Sequence, residues 1–171
     1  KVDPTVLVDL AKKVNPVAVI SGTNGKTTTT NLVADCLQTA GVPLYCNREG
    51  NNLQSGIVTS LMLAPDASKV VDAASAAQAP VGCFECDEMY TKYVLPRLRP
   101  HYFMLLNLFR DQLDRFGEID RIQATIAEAL AKTPETMFVF NGDDPLCAAI
   151  ADRIPNKSLA FGIASDMGLS A

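Results

Sequence analysis

The stretch Val17-Ala18-Val19-Ile20-Ser21-Gly22-Thr23-Asn24-Gly25-Lys26-Thr27 decides how this chain folds. Val17 to Ser21 is a short β-branched apolar run that stops at Gly22, and from Lys26 a helical pattern runs through Leu32, Val33, Cys36 and Leu37 until Gly41 and Pro43 end it. Strand, glycine loop and helix in that order suit phosphate binding. The glycines let backbone N–H groups converge on phosphate oxygens, Lys26 supplies charge at the β- and γ-phosphates, and the Thr27 hydroxyl can ligate Mg²⁺. The strict eight-residue form of such a loop would begin with glycine at position 20, which is Ile20, so this is a variant. Gly22, Thr23, Asn24, Gly25, Lys26, Thr27 and Thr28 are therefore the candidate nucleotide-binding residues. Four consecutive threonines, Thr27 to Thr30, are poor helix formers, and a functional demand at the helix start explains at least Thr27.

Outward from this loop, a second helix is expected from Asn52 to Leu63, with Pro65 ending it, while 69–80 is Ala-rich and ambiguous. Further apolar runs at Val81–Cys86, Tyr102–Leu106, Met137–Phe140 and Ser158–Ile163 read as strands. Ile119–Lys132 and Pro145–Ile154 read as the helices between them. The alternation predicts an α/β fold, a three-layer sandwich around a mostly parallel sheet, with ligands at the carboxyl ends of its strands. The 171 residues make one domain, 1–171, and the small and polar stretch from Ile163 to Ala171 closes no element, as expected of a piece of a longer chain.

Composition narrows the function. A net charge of −4, with scattered Lys and Arg, offers no basic face for nucleic acid. No apolar run approaches the length of a membrane span, so no membrane insertion is expected. Five cysteines at irregular spacing, with no secretory segment, read as reduced thiols in a cytoplasm. The single histidine, His101, excludes any site that needs two.

Several acidic or amide groups arrive at the expected ligand edge. Glu85 ends an apolar strand, where its carboxylate is either a hard oxygen ligand for Mg²⁺ or a strand-end group in solvent. Asp111 follows the Tyr102–Leu106 strand and is a second candidate for the metal. Asn51 and Asn52 follow a glycine in a loop that opens the second helix, as turn or cap residues on local chemistry alone. Asn141-Gly142-Asp143-Asp144-Pro145 combines a turn with an N-cap signal, Asp144 before Pro145 at the first helical position. Asp87 and Glu88 read as the solvated start of a loop. Cys83 and Cys86 have a zinc-like spacing, but within a strand an odd separation sends them to opposite faces, as core thiols.

The loop Gly22 to Thr27 resembles that of the Mur ligase family. So do Asn47-Arg48-Glu49-Gly50-Asn51-Asn52-Leu53, Phe84-Glu85-Cys86-Asp87-Glu88, Asn107-Leu108-Phe109-Arg110-Asp111-Gln112-Leu113-Asp114-Arg115 and Asn141 to Pro145. Five blocks in order cover nearly the whole chain. The resemblance implies a central ATPase domain that uses ATP and Mg²⁺ to activate a carboxylate as acyl-phosphate, with Lys26, Glu85 and Asn52 catalytic. It further implies nucleotide contacts from the loop residues, Asn51, Asn141 and Asp144, and metal contacts from Thr27, Glu85 and Asp111. The form Arg110 to Arg115 resembles the MurT branch, whose members work with a GatD-type glutaminase to amidate the D-glutamate of lipid II. That branch carries a four-Cys zinc ribbon, which would have to lie beyond Ala171.

Two departures from the amino-acid-adding ligases of the family stand out. Gln112 replaces the histidine that ligates a second metal there, and no lysine stands where those enzymes carry a carbamylated one, Lys132 being about a turn too late. Folylpolyglutamate synthetase is a rival within the same architecture, opposed by the 47–53 and 110–115 blocks. Of other classes, a GTPase switch needs an Asn-Lys-x-Asp reader, and Asn156-Lys157-Ser158-Leu159 lacks the acid. A non-catalytic nucleotide-binding module stays open.

Overall fold

A computed structural model describes residues 5–63, 79–109 and 117–163. The loop-flanking strand and helix form as read: β1 is Val17–Ser21, and the helix after the loop spans Lys26–Thr39. In chain order the helices are α1 (Val6–Ala11), α2 (Lys26–Thr39), α3 (Gln54–Leu63), α4 (Thr91–Leu98), α5 (Glu118–Ala131) and α6 (Pro145–Ala151). The strands after β1 are β2 (Leu44–Cys46), β3 (Val81–Glu85), β4 (Tyr102–Leu105), β5 (Met137–Asn141) and β6 (Ser158–Phe161). They form one sheet in the order β2-β3-β1-β4-β5-β6, every pair parallel.

That order explains the layers. From β1 the chain moves one way across the sheet to β2, and from β2 onward every step runs the other way. With right-handed crossovers throughout, α2 must lie on one face and the later helices on the other. The contacts agree: α2 packs on β1, β2 and β3, whereas α1, α3, α4, α5 and α6 share the opposite face. The main core lies there, built from Val19, Phe84, Phe103 and Phe138 of the sheet and Ile57, Leu61, Leu95, Ile126, Leu130 and Ile150 of the helices, each at most 1% exposed. Phe138 stacks on Phe103 and Phe140 at centroid distances of 6.0 and 5.2 Å. On the α2 side of β4–β6, Tyr102, Leu159 and Phe161 remain exposed.

Three elements escape the sequence reading. β2 has only three residues and follows Pro43, so its alternation is too short to register. α1 has six, too few to establish a helical period. α4 contains Pro96, which reads as a breaker; burial of Val94, Leu95 and Leu98 against the core offsets the missing backbone bond. The sequence-predicted ends of other elements shift slightly, β3 stopping at Glu85 and α6 at Ala151. The expectations for Asp111, Gln112 and the rest of 110–116, most of the Ala-rich 69–80 stretch, Pro65 and the tail from 164 lie outside the described residues.

Candidate active site

Because β1 sends its chain to one face while its neighbours β3 and β4 send theirs to the other, a crevice opens at the carboxyl end of β1. The glycine loop occupies it. Gly25 takes φ +81° as the residue preceding α2, and the helical ladder starts with Thr29 N–H donating to the Gly25 carbonyl at 2.9 Å. The N–H groups before it have no acceptor inside the helix. The first turn of α2 holds no acidic side chain, so its positive dipole end is left for an anion.

Gly22 is required by space as well as torsion. Its φ is +140°, and a Cβ there would stand 3.1 Å from the backbone of Asn107. That close approach serves a clamp between the loop and the chain after β4. Thr23 N–H donates to the Asn107 carbonyl at 3.0 Å, and the Asn107 side chain accepts from Asn24 N–H and donates to the Asn24 carbonyl at 2.9 and 3.0 Å. Phe109 N–H donates to Thr23 Oγ1 at 3.1 Å. Asn107 was not singled out from the sequence, although it opens one of the quoted blocks; nothing local distinguishes its clamp from an ordinary turn residue.

Lys26 Nζ is held by the carbonyls of Gly22 and Thr23 and by the carboxylate of Glu88, 3.3 Å away. Glu88 corrects an expectation. It is only 8% exposed, not solvated, because the Asp87 side chain caps a 3-10 turn at Glu88–Tyr90 by accepting from Met89 N–H at 2.9 Å. That turn swings Glu88 back toward the loop, and Thr91 Oγ1 donates to its carbonyl at 2.6 Å. No spacing rule announces such a reversal.

Glu85 shares a sheet face with Cys83, whose thiol donates to the Thr30 carbonyl of α2 at 3.9 Å, so its carboxylate belongs to the α2 side next to the loop. It is 2% exposed, and its Oε2 has no hydrogen-bond partner among the described residues. A buried carboxylate oxygen without a donor is costly unless a cation completes it, and the residue fits a magnesium ligand on that account. Asn47, 4% exposed, locks the backbone here: its side chain accepts from Glu85 N–H at 2.8 Å and donates to the carbonyls of Glu85 and Asn51, each at 2.9 Å.

Asn51 and Asn52 are not helix caps. Gly56 and Ile57 N–H donate to the Leu53 carbonyl, so α3 begins after both asparagines. Instead, the Asn52 carbonyl accepts from Asp87 N–H at 2.8 Å, and Gly50 lies so near α2 that a Cβ on it would be 3.7 Å from Thr27 Oγ1. The loops after β1, β2 and β3 thus meet at one edge. Asp144 is a cap: Oδ1 accepts from Leu146 and Cys147 N–H at 2.8 and 3.4 Å, and Oδ2 from Leu108 N–H at 2.8 Å, tying β5 to the chain after β4. Asn141 Oδ1 accepts from Asp143 N–H at 3.0 Å and shapes the turn. His101 lies at the opposite end of β4, its Nδ1 accepting from Val17 N–H at 3.2 Å. Cys83 and Cys86 are buried, and the described residues contain no cluster of metal-ligating side chains. None of the helices described is long and apolar enough to cross a membrane.

Comparison with known proteins identifies the family and the fold. The Mur ligase middle domain profile matches residues 20–169. The chain is 35% identical over 161 residues to the MurT subunit of the glutamine-hydrolysing lipid II isoglutaminyl synthase of Staphylococcus aureus, covering 94% of this chain and 34% of that protein. It is 33% identical over 166 residues to MurT of Streptococcus pneumoniae, covering 97% and 35%, and 31% identical over 147 residues to the UDP-N-acetylmuramoylalanine–D-glutamate ligase of Geotalea daltonii, covering 85% and 29%. It therefore spans about a third of the length of these relatives. In fold it is similar to MurF of Acinetobacter baumannii (TM-score 0.72, 20% identity, 95% of this chain and 34% of that one). It is also similar to MurF of Thermotoga maritima, solved in complex with ADP (TM-score 0.66, 20% identity, 93% and 36%). The glycine loop on a parallel sheet and the match over residues 20–169 agree, and the chain belongs to the Mur ligase family.

Proposed function

We propose that this chain is the ATP-binding domain of a carbon–nitrogen ligase of peptidoglycan synthesis, which activates a substrate carboxylate as an acyl-phosphate for attack by ammonia. The observation that carries the reading is the edge where Lys26, held by Glu88, stands with the loop N–H groups and the unpartnered carboxylate oxygen of Glu85. The loop N–H groups and Lys26 would bind the β- and γ-phosphates, and Thr27 and Glu85 would hold Mg²⁺, with Asp111 as a further candidate. When bound, the metal neutralises charge on the phosphate oxygens. Asn51 and Asn52, carried on the loop tied to Glu85 through Asn47, would contact the transferred phosphoryl group. Catalysis by these residues is orientation and charge stabilisation, and no protein nucleophile is needed.

The finer reading is that the acceptor is the D-glutamate of lipid II and that ammonia comes from a GatD-type glutaminase subunit in a cytoplasmic complex. The two MurT relatives support it, as does Gln112 where the amino-acid-adding ligases have histidine. A zinc ribbon belongs to this reading only if four cysteines follow residue 171. Calorimetric titration of the chain with ATP, with and without Mg²⁺, tests the domain's role: metal-dependent binding is expected, and no binding under either condition overturns it. Adding lipid II, ammonium and a GatD-type subunit to a MurT-length protein carrying this sequence tests the acceptor. Amidated lipid II is the expected product, and D-glutamate addition to UDP-N-acetylmuramoylalanine would assign the chain to the other branch.

A further inference from the structure

Cys46 and Cys83 are direct partners in the parallel register of β2 and β3, so their side chains leave the sheet on the same face. Neither is in a disulfide. Neighbouring strands stand about 4.8 Å apart, inside the Cα separation of about 4.4–6.8 Å that a disulfide spans. Access to the two thiols is unequal. Cys83 is fully buried beneath α2, whereas Cys46 is half-buried and lines a cavity of about 620 Å³ between the end of α2, β2 and α3. The other three cysteines offer no such pairing: Cys36 is exposed on α2, and Cys86 and Cys147 are buried.

We propose that Cys46 and Cys83 form a reversible dithiol pair that hydrogen peroxide, entering through the cavity, closes into a disulfide between β2 and β3. The Cys46 thiolate attacks one peroxide oxygen; the O–O bond breaks, a sulfenic acid forms on Cys46, and hydroxide leaves with the electron pair. The Cys83 sulfur then attacks the Cys46 sulfur, the S–O bond breaks, and the departing hydroxide takes the Cys83 proton. The two thiols are oxidised by two electrons in all, and one peroxide becomes two waters. The bond would bear on the neighbouring site. Asn47 follows Cys46 and brackets the backbone of Glu85, two residues beyond Cys83, so any change that the bond imposes on the spacing or twist of these strands shifts that bracket. Resting on the nucleotide-site reading above, the closed form binds Mg-ATP several-fold more weakly than the open one.

The test treats the reduced 171-residue chain, carrying Cys36→Ser to remove the exposed thiol, with hydrogen peroxide, followed by alkylation and mass spectrometry. The expected product is lighter by two hydrogens, yields a linked peptide pair containing Cys46 and Cys83, and reverts with dithiothreitol. Cys46→Ser should abolish the link. Over-oxidation of Cys46 to sulfinic acid, with Cys83 still open to alkylation after unfolding, would overturn the proposal without any reliance on a variant. Mg-ATP titration of both forms reads the coupling: equal affinity in a verified disulfide form overturns it. Absence of binding in either form counts against the nucleotide-site reading, while the mass result judges the thiol pair by itself.

Discussion

Lys26 and Glu88 form a charge pair whose side chains are only 13% and 10% exposed, so each depends on the other. Lys26→Ala is expected to weaken Mg-ATP binding by roughly 1.5–3 kcal/mol, about tenfold or more, through loss of a charge-assisted phosphate contact. It should also destabilise the fold, by about 3 kcal/mol, because Glu88 is left buried without a partner. Adding Glu88→Gln should restore most of that stability and none of the affinity, as denaturant unfolding and calorimetry would show. A double variant no more stable than Lys26→Ala would mean that the pair imposes no such dependence. Glu85→Gln should behave differently. Among the described residues its Oε2 makes no hydrogen bond to lose, so unfolding should change little, while ATP affinity in Mg²⁺ should fall toward the value in EDTA. Unchanged magnesium dependence would reduce Glu85 to a strand-end carboxylate.

Among elements, α3 shows how the site loop is held. A Cβ at Gly56 would overlap the carbonyl oxygen of Asn51, so the helix and the loop after β2 touch through the glycine. Helix propensity alone favours Gly56→Ala by about 1 kcal/mol. The overlapping atom is backbone, however, and it is fixed by the Asn47 side chain; it cannot swing aside as a side chain would. Overpacking of about 1–3 kcal/mol should therefore win. The melting temperature of Gly56→Ala is expected to fall, and Mg-ATP affinity with it, because Asn51 and Asn52 move. A rise in melting temperature would show that the loop yields freely. Asp144 works at the same scale: Asp144→Ala removes the α6 cap and the link to Leu108, an expected loss of about 1–2 kcal/mol in thermal or urea unfolding.

The molecule as a whole gathers loops from β1, β2, β3 and β4 around one crevice, while the 620 Å³ cavity between the end of α2, β2 and α3 shares Asn47 and Asn51 with the site. The chain spans about a third of the length of its relatives. Binding and turnover should separate: incubated with Mg-ATP, ammonium and lipid II, the 171-residue chain is expected to bind nucleotide and form no amide. Substantial amidated product from this chain alone would refute that division of labour.

The mostly parallel sheet and the glycine loop were legible in the sequence because they rest on local signals, whereas β2, α1 and α4 were not. The apolar run of β1 alternates with glycine and helical periodicity within a few residues, and propensity and turn chemistry act at that range. The same is true of the Asp144–Pro145 cap. Glu88, Asn107 and Asn47 were not legible as site residues, since their roles come from partners 62, 83 and 38 residues away in the chain. Only the tertiary structure, by folding the chain after β3 back over Lys26, decided that Glu88 is buried. The same long-range geometry made neighbours of Cys46 and Cys83, for strand pairing is set by which apolar faces meet across the whole sheet and not by any spacing along it.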